Sequence, residues 1–210
     1  MKKVFIYILF FLIFLPAGLI AGGLNDFFHL SRYEKWWVFT HPFVARKAYQ
    51  ITKEAKSETE KMIQDSTLDH DRFGGQIDAF RHCYWMARLA QNMKVKKAIR
   101  LGKAHEKANY LSFRKNKFDE EGLLPDSVSG AMDLFNNNVG VAIGCNFRGN
   151  TTEEIKEIIK KGILAGKMMV ILKNESGKYV DCSGKPILNE ESPQWGIQKC
   201  MVQSNRSHVP

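Results

Sequence analysis

From residue 42 onward, hydrophobic and polar positions alternate at the period of a helix. Val44, Ala48, Ile51 and Ala55 recur every three or four residues behind Thr40, His41 and Pro42, which predicts a helix over 42–64 with proline in its first turn. The polar segment STLDHDRFGG (66–75) ends it in a loop that closes on two glycines. Phe80, Cys83, Tyr84 and Ala87 mark a second helix over 76–92, and Ala98, Leu101, Ala104 and Ala108 give a third, over 95–113, a face of mostly small residues. Gly122 and Pro125 break the pattern, so 114–127 reads as a loop.

Ser127 or Ser129 is expected to cap a fourth helix, with Val128, Met132, Phe135, Val139 and Ile143 as its core stripe. Thr151 or Thr152 is expected to cap a fifth, TTEEIKEIIKKGILAGKMM (151–169), whose early glutamates and later lysines complement the helix dipole. Short apolar runs in 170–188, separated around Glu175–Lys178 and Ser183–Lys185, predict a small hairpin. The expected fold class is mainly α, a compact helical domain with a small β-hairpin or irregular C-terminal appendage.

The N-terminal pattern is different. Lys2 and Lys3 precede the apolar run VFIYILFFLIFL (4–15), followed by Pro16 and the small residues Ala17, Gly18, Ala21, Gly22 and Gly23. Basic, apolar and small-residue regions in this order are those of a secretory signal peptide over 1–21, which predicts an exported protein, periplasmic or secreted. The alternative is an uncleaved anchor in the inner membrane, since Leu19 stands three residues before the expected cut after Ala21. The segment 22–41 is rich in aromatics (Phe27, Phe28, Tyr33, Trp36, Trp37, Phe39) and is expected to pack as a collar, with a membrane-interface role as the alternative. A helical domain over 42–173 and an appendage over 174–210 complete the division.

Of the 210 residues, 31 are Lys or Arg and 22 are Asp or Glu, a formal charge of +9 that falls to +7 without Lys2 and Lys3. A basic surface favours anionic partners such as phospholipid headgroups, nucleic acid or an envelope polymer. The run KVKKAIRLGK (94–103) concentrates this charge, as a solvated helix face or as a contact for an anionic substrate. Cys83, Cys145, Cys182 and Cys200 have no C-x-x-C spacing, which weakens zinc-ribbon and thioredoxin-like readings. Cys182 and Cys200 can staple the tail in an oxidising compartment, while Cys83 and Cys145 fall in helical patterns as buried thiols.

Residues four apart share a helical face, and three of the predicted helices each carry a polar pair at that spacing: Asp78 with His82, His105 with Asn109, and Asp133 with Asn137. Asp and Asn are poor formers of helix interiors, so propensity does not explain them. Trp85 continues the first face, Glu106 follows His105, and Gly140 and Gly144 continue the third face, where a missing side chain lets a neighbouring helix or ligand come close. Gly102 stands about a turn before His105 and can act likewise.

Two chemistries suit such a centre. Asp78, His82, His105 and Asp133 are candidate ligands for zinc or another divalent metal such as manganese or iron, because carboxylates and imidazoles on facing helices match those ions. Without metal, His82 or His105 is a candidate general base oriented by Asp78 or Asp133, with Arg81 or a lysine holding an anion; with metal, Glu106 is the candidate base or a carboxylate behind the ligands. Asn109, Asn137, His41 and Trp85 are candidates for orienting substrate or ligands. The opposing reading is a hydrogen-bond network that sets helix register without chemistry. His70 in the LDHDR segment is a lesser metal candidate, and His29 and His208 read as surface residues.

The motifs DAFRHCYW (78–85), KAHE (103–106) and MDLFNNNVG (132–140) together resemble an uncharacterised family of bacterial proteins, many of them exported, with a DAFRHAYW-like helix, an AHE element and an MDLxNNxxG element in this order. Cys83 replaces a frequent alanine and Phe135 a frequent histidine. That family carries no activity to transfer. A fainter similarity, in THPFVARKA (40–48) and LGKAHEKA (101–108), is to zinc-dependent phospholipase C and the related single-strand nucleases, whose His and Asp ligands come from several helices. The chain lacks their HxxxD and HxxxE pairs, so one or two metals is the most this similarity implies. The expected function is a metal-dependent hydrolase of an anionic substrate, a phosphodiester or phospholipid, and the alternative is a non-enzymatic envelope or interaction module.

Overall fold

A computed structural model describes residues 23–115, 125–187, 195–196 and 198–206. The expected leader over 1–21, the middle of the 114–127 loop and His208 lie outside the described residues. The elements in chain order are α1 (Gly23–His29), α2 (Arg32–Thr40), α3 (Pro42–Met62), α4 (Gln76–Asn92), α5 (Val95–Arg114), α6 (Ser127–Asn146), α7 (Thr152–Leu164), β1 (Met169–Ile171) and β2 (Met201–Gln203). The fold is mainly α with one small antiparallel sheet, in which Val170 faces Val202. No helix among the described residues is long and apolar enough to cross a membrane.

Helix α4 is the centre of the bundle, packed against α3, α5, α6, α7 and β1. Ile77, Phe80, Tyr84 and Leu89 on it are fully buried. One core cluster joins α4 to Ile155, Ile159 and Ile163 of α7 and to Met168, and the other joins Met86 and Leu89 of α4 to Trp37, Ile51, Ala98 and Leu101. Polar bonds fasten the rim: the Tyr84 hydroxyl donates to Glu54 at 2.7 Å, and Arg88 donates to the same carboxylate at 2.6 Å. The tail closes on α4 and α7, as Gln76 Nε2 donates to the Ser204 carbonyl and the Ser204 hydroxyl donates to the Ile163 carbonyl, both at 2.7 Å. Cys182 and Cys200 form a disulfide, while Cys83 is buried and Cys145 half-buried as free thiols.

Several local expectations change. Helix α6 is capped by Asp126, whose carboxylate accepts from the amides of Val128 and Ser129, rather than by Ser127 or Ser129. Its buried face is Met132, Asp133, Asn136, Asn137, Gly140, Val141 and Gly144, and Phe135 of the expected apolar stripe is exposed. The helix is rotated so that its polar and glycine positions meet α4, while Met132 stays buried and Val139 and Ile143 pack at the edge of the core. Thr151 caps α7 in a reciprocal capping box with Glu154. The helix ends at Leu164, short of Met169, because Gly166 takes φ +73° and the chain turns into β1. The expected turn near residue 175 forms between Asn174 and Lys178, but the paired strands are β1 and the distant β2, with only isolated bridges at Lys173–Tyr179 and Val180–Pro186. Of the aromatic segment, Trp37 packs inward and donates from Nε1 to the Lys97 carbonyl at 3.0 Å, whereas Phe28, Trp36 and Phe39 face outward.

Candidate functional site

The site begins where α4 begins. Asp69 accepts the amide of Gln76 on both carboxylate oxygens (2.8 and 3.0 Å), and Gly74, at φ +79°, turns its amide onto Asp78 Oδ2 at 2.8 Å. Asp78 is thereby fixed in the first turn of α4, with Oδ1 accepting from Arg81 Nη2 at 2.7 Å. One turn on, His82 Nε2 lies 3.4 Å from Asp78 Oδ1 and 3.4 Å from Asp133 Oδ1 of α6, and 3.3 Å from Arg81 Nη2. Gly140 and Gly144 make this approach of α6 achievable, because a Cβ at either would fall on the carbonyl oxygens of Cys83 and Ala87.

Helix α5 supplies the third wall. Glu106 Oε1 accepts from Asn137 Nδ2 at 3.0 Å, its Oε2 accepts from Asn109 Nδ2 at 3.1 Å, and Oε1 lies 3.9 Å from His82 Nδ1. Asp78, His82, Glu106, Asp133 and Asn137 are all buried. Three side-chain atoms among them have no hydrogen-bond partner: His82 Nδ1, Asp133 Oδ1 and Asn137 Oδ1. Asp78, His82 and Asp133 each offer one ligand atom within 4.8 Å of the others, a group able to hold a metal ion.

Burial, with the neighbouring Glu106 and Asp78 carboxylates adding to it, pushes the Asp133 carboxyl well above its ordinary range. Glu106 is raised by burial too, against the opposing pull of His105 and the Asn137 amide. His82 is pushed well below its ordinary value by burial and by Arg81 and His105; Asn137 pulls the other way, although its amide is committed to Glu106. The imidazole is therefore neutral, as a metal ligand must be.

The other expected site residues are placed around this centre. His105 stands outside the metal-capable group: its Nδ1 bonds Glu34 Oε1 of α2 at 3.0 Å, its side chain is 41% exposed, and its ring lies 6.3 Å from that of His82. The Trp85 ring meets His105 edge-on at 5.4 Å while its Nε1 donates to Thr52 at 3.0 Å. His41 stacks on Trp37, bonds its carbonyl through Nδ1 at 2.9 Å, and lines a separate groove between α2 and α5. His70 is held by the Ile63 carbonyl. Arg81, about a third exposed, and His105 are the cluster's links to solvent.

Two contributors escaped the sequence reading. Asn136, fully buried, pairs with both backbone groups of Met169 and so fixes α6 against β1. Glu34 is visible in the sequence only as the last member of the S-x-x-E pattern at 31–34, and it does close a capping box on Ser31. Its second oxygen is free for His105 because the capping bond uses the first.

Burial alone would raise Glu34, but the His105 and Ser31 bonds outweigh it and hold the carboxyl down to about 2. His105 is partly exposed, and the depressing effect of its partial burial is outweighed by Glu34 and Glu106, so its value is raised. The Glu34 contribution is thus fully present above the unfolded value near 4.5 and lost as pH falls toward 2. That of His105 is fully present below 6.5 and lost as pH rises through its raised folded value. The clamp between α2 and α5 is expected to be tightest between these limits. In Glu34→Gln, the alkaline loss of stability seen by thermal unfolding should shrink; an unchanged alkaline limb would refute the assignment.

The fold and the cluster define a helical domain built around a buried carboxylate–imidazole centre shared by three helices. A family model described as a domain of unknown function (DUF6973) matches residues 35–167, from α2 through α7, and the chain belongs to that family. The resemblance read from the three motifs is thereby met. No curated protein and no solved structure matches, and the fainter phospholipase C and nuclease similarity finds no support there.

Proposed function

We propose that this chain is an exported, metal-dependent hydrolase of an anionic phosphodiester or phospholipid substrate, with Asp78, His82 and Asp133 as the ligands of a zinc or similar divalent ion. The carrying observation is the pair of 3.4 Å separations from His82 Nε2 to Asp78 Oδ1 and Asp133 Oδ1. Ligand atoms bound at about 2.0–2.1 Å on tetrahedral corners stand about 3.3–3.4 Å apart. The charge balance supports the same reading: three carboxylates (Asp78, Glu106, Asp133) share the centre with one guanidinium, and a cation would relieve the crowding of carboxylates that, with burial, raises Asp133.

Each remaining residue has a defined task. Ligating histidines donate their second ring N–H to a carboxylate, and Glu106, held by Asn109 and Asn137, is the carboxylate that faces His82 Nδ1. Glu106 orients the ring and, with its raised affinity for a proton, can accept one from water. Arg81 orients Asp78 and, at the solvent edge, presents positive charge to an anionic substrate. A bound divalent ion supplies Lewis acidity, lowering the pKa of its water and polarising a phosphoryl or carbonyl oxygen.

One observation favours the rival reading of a structural network: Arg81 already places a cation 2.7 Å from Asp78 Oδ1. That network leaves three buried polar atoms unpartnered, at about 1–3 kcal/mol each, which a purely structural role does not explain. Metal analysis of the purified full chain after exposure to zinc, manganese or iron separates the two. About one equivalent is expected in the native protein, lost in Asp78→Asn and His82→Gln with helicity retained, and affinity about 10–100-fold weaker in Glu106→Gln. No bound metal in the native protein, with the variants unfolding, would establish the network instead.

A further inference from the structure

A second concentration of unassigned residues lies between α2 and α5, in a groove of about 510 Å³. One wall carries Tyr33, Trp36 and His41, and the other carries Arg100, Lys103 and Lys107. The three basic residues recur at intervals of three and four, a single stripe along α5, and no carboxylate among the described residues lines the groove. The walls meet where the Lys107 ammonium stands 5.7 Å from the centre of the Tyr33 ring.

Beyond the rim, aromatic side chains continue outward. Trp36 and Phe39 stack at 5.8 Å and are 66% and 54% exposed, and Phe43 at the start of α3 is 97% exposed. Phe28 is exposed as well, so four of the nine exposed large hydrophobics among the described residues fall within 28–43. Burial of such side chains is strongly favourable, and clustered ones beside a row of cations are the composition of an interfacial surface. The apolar run 4–15 stands a short way ahead of α1 in the sequence, so where it is retained as an anchor the chain enters these helices within a few residues of a segment with bilayer chemistry.

We propose that the α1–α3 corner and the basic stripe of α5 dock on an anionic phospholipid bilayer. Trp36, Phe39 and Phe43 enter the interfacial layer while Arg100, Lys103 and Lys107 meet lipid phosphates. A nucleic-acid strand stacked in the groove would leave Phe39 and Phe43 uncovered, since neither lines it. A second copy would bring its own basic stripe against this one. A bilayer covers the rim aromatics and the cations together, and the inference is independent of any chemistry at the buried centre.

The test is co-sedimentation of the full chain with phosphatidylcholine vesicles, with and without about a third phosphatidylglycerol, at two salt concentrations. The apolar N-terminal run is present in every arm, so differences between variants report the docking surface. Each basic residue near an anionic surface contributes a factor of about five, so Arg100→Ala/Lys103→Ala/Lys107→Ala is expected to lower partitioning about 100-fold on the anionic vesicles. Trp36→Ser/Phe39→Ser/Phe43→Ser should reduce binding to both vesicle types, and salt should weaken the native protein only on the anionic ones. Equal binding of native protein to both vesicles, or variants that bind like it, would overturn the proposal. So would a dimer in solution that the aromatic variant disperses while vesicle binding stays unchanged.

Discussion

Gly140→Ala is expected to destabilise the protein by about 1–3 kcal/mol or more, although alanine is the better helix former. The added Cβ would stand well inside 3.0 Å of the Cys83 carbonyl oxygen, a backbone atom that cannot swing aside. Helix α6 must then move off α4, taking Asp133 and Asn137 away from Asp78 and His82. Metal affinity should fall together with stability, and Gly144→Ala, whose Cβ would meet the Ala87 carbonyl, should behave alike. Gly130 on the same helix has nothing within 4 Å of its would-be Cβ, so Gly130→Ala is expected to be neutral or to gain up to about 1 kcal/mol. Urea unfolding of the three variants checks this, and equal midpoints for Gly130→Ala and Gly140→Ala would refute the close approach of α6 to α4.

Asp133→Asn is expected to act in the opposite direction on the metal-free protein, stabilising it by about 1–3 kcal/mol at neutral pH. Asp133 is buried and its Oδ1 lacks a partner, so the folded protein holds the carboxyl's proton more tightly than the unfolded chain does. Protonation thus favours the fold, and the favourable term is lost as pH rises from the unfolded value near 3.8 through the raised folded value. The advantage of the variant should therefore grow with pH and vanish in acid. With zinc or manganese added, the native protein should gain melting temperature and Asp133→Asn should not. A variant that is less stable than the native protein in chelator would mark Asp133 as a structural residue and remove the case for a cation site.

The helices were legible because what defines them is local. The apolar repeat of α4 and the proline that opens α3 both act within a turn or two, and the observed α4 spans the expected residues 76–92. The same locality made the pairs Asp78–His82 and Asp133–Asn137 readable, since residues four apart share a face in any helix. Less legible was the cap of α6, where Asp126 and the neighbouring serines are equally plausible by residue type and only the bonds to Val128 and Ser129 decide. The pairing of β1 with β2 depends on segments some thirty residues apart, beyond any local pattern.

By itself the sequence determined a mainly helical chain whose polar residues are arranged in face-sharing pairs, because periodicity and capping are properties of neighbours along the chain. Only the tertiary structure decided which members of those pairs meet. His105 and Glu106 are adjacent, yet each residue advances a helix by about 100°, so the rotation of α5 about its axis decides which of them faces the centre. Packing of Ala98, Leu101 and Ala104 sets that rotation, and it turns Glu106 toward His82 and leaves His105 to Glu34. A face of small side chains carries little orienting signal in sequence, while across three helices it settles which atoms come within reach of one another.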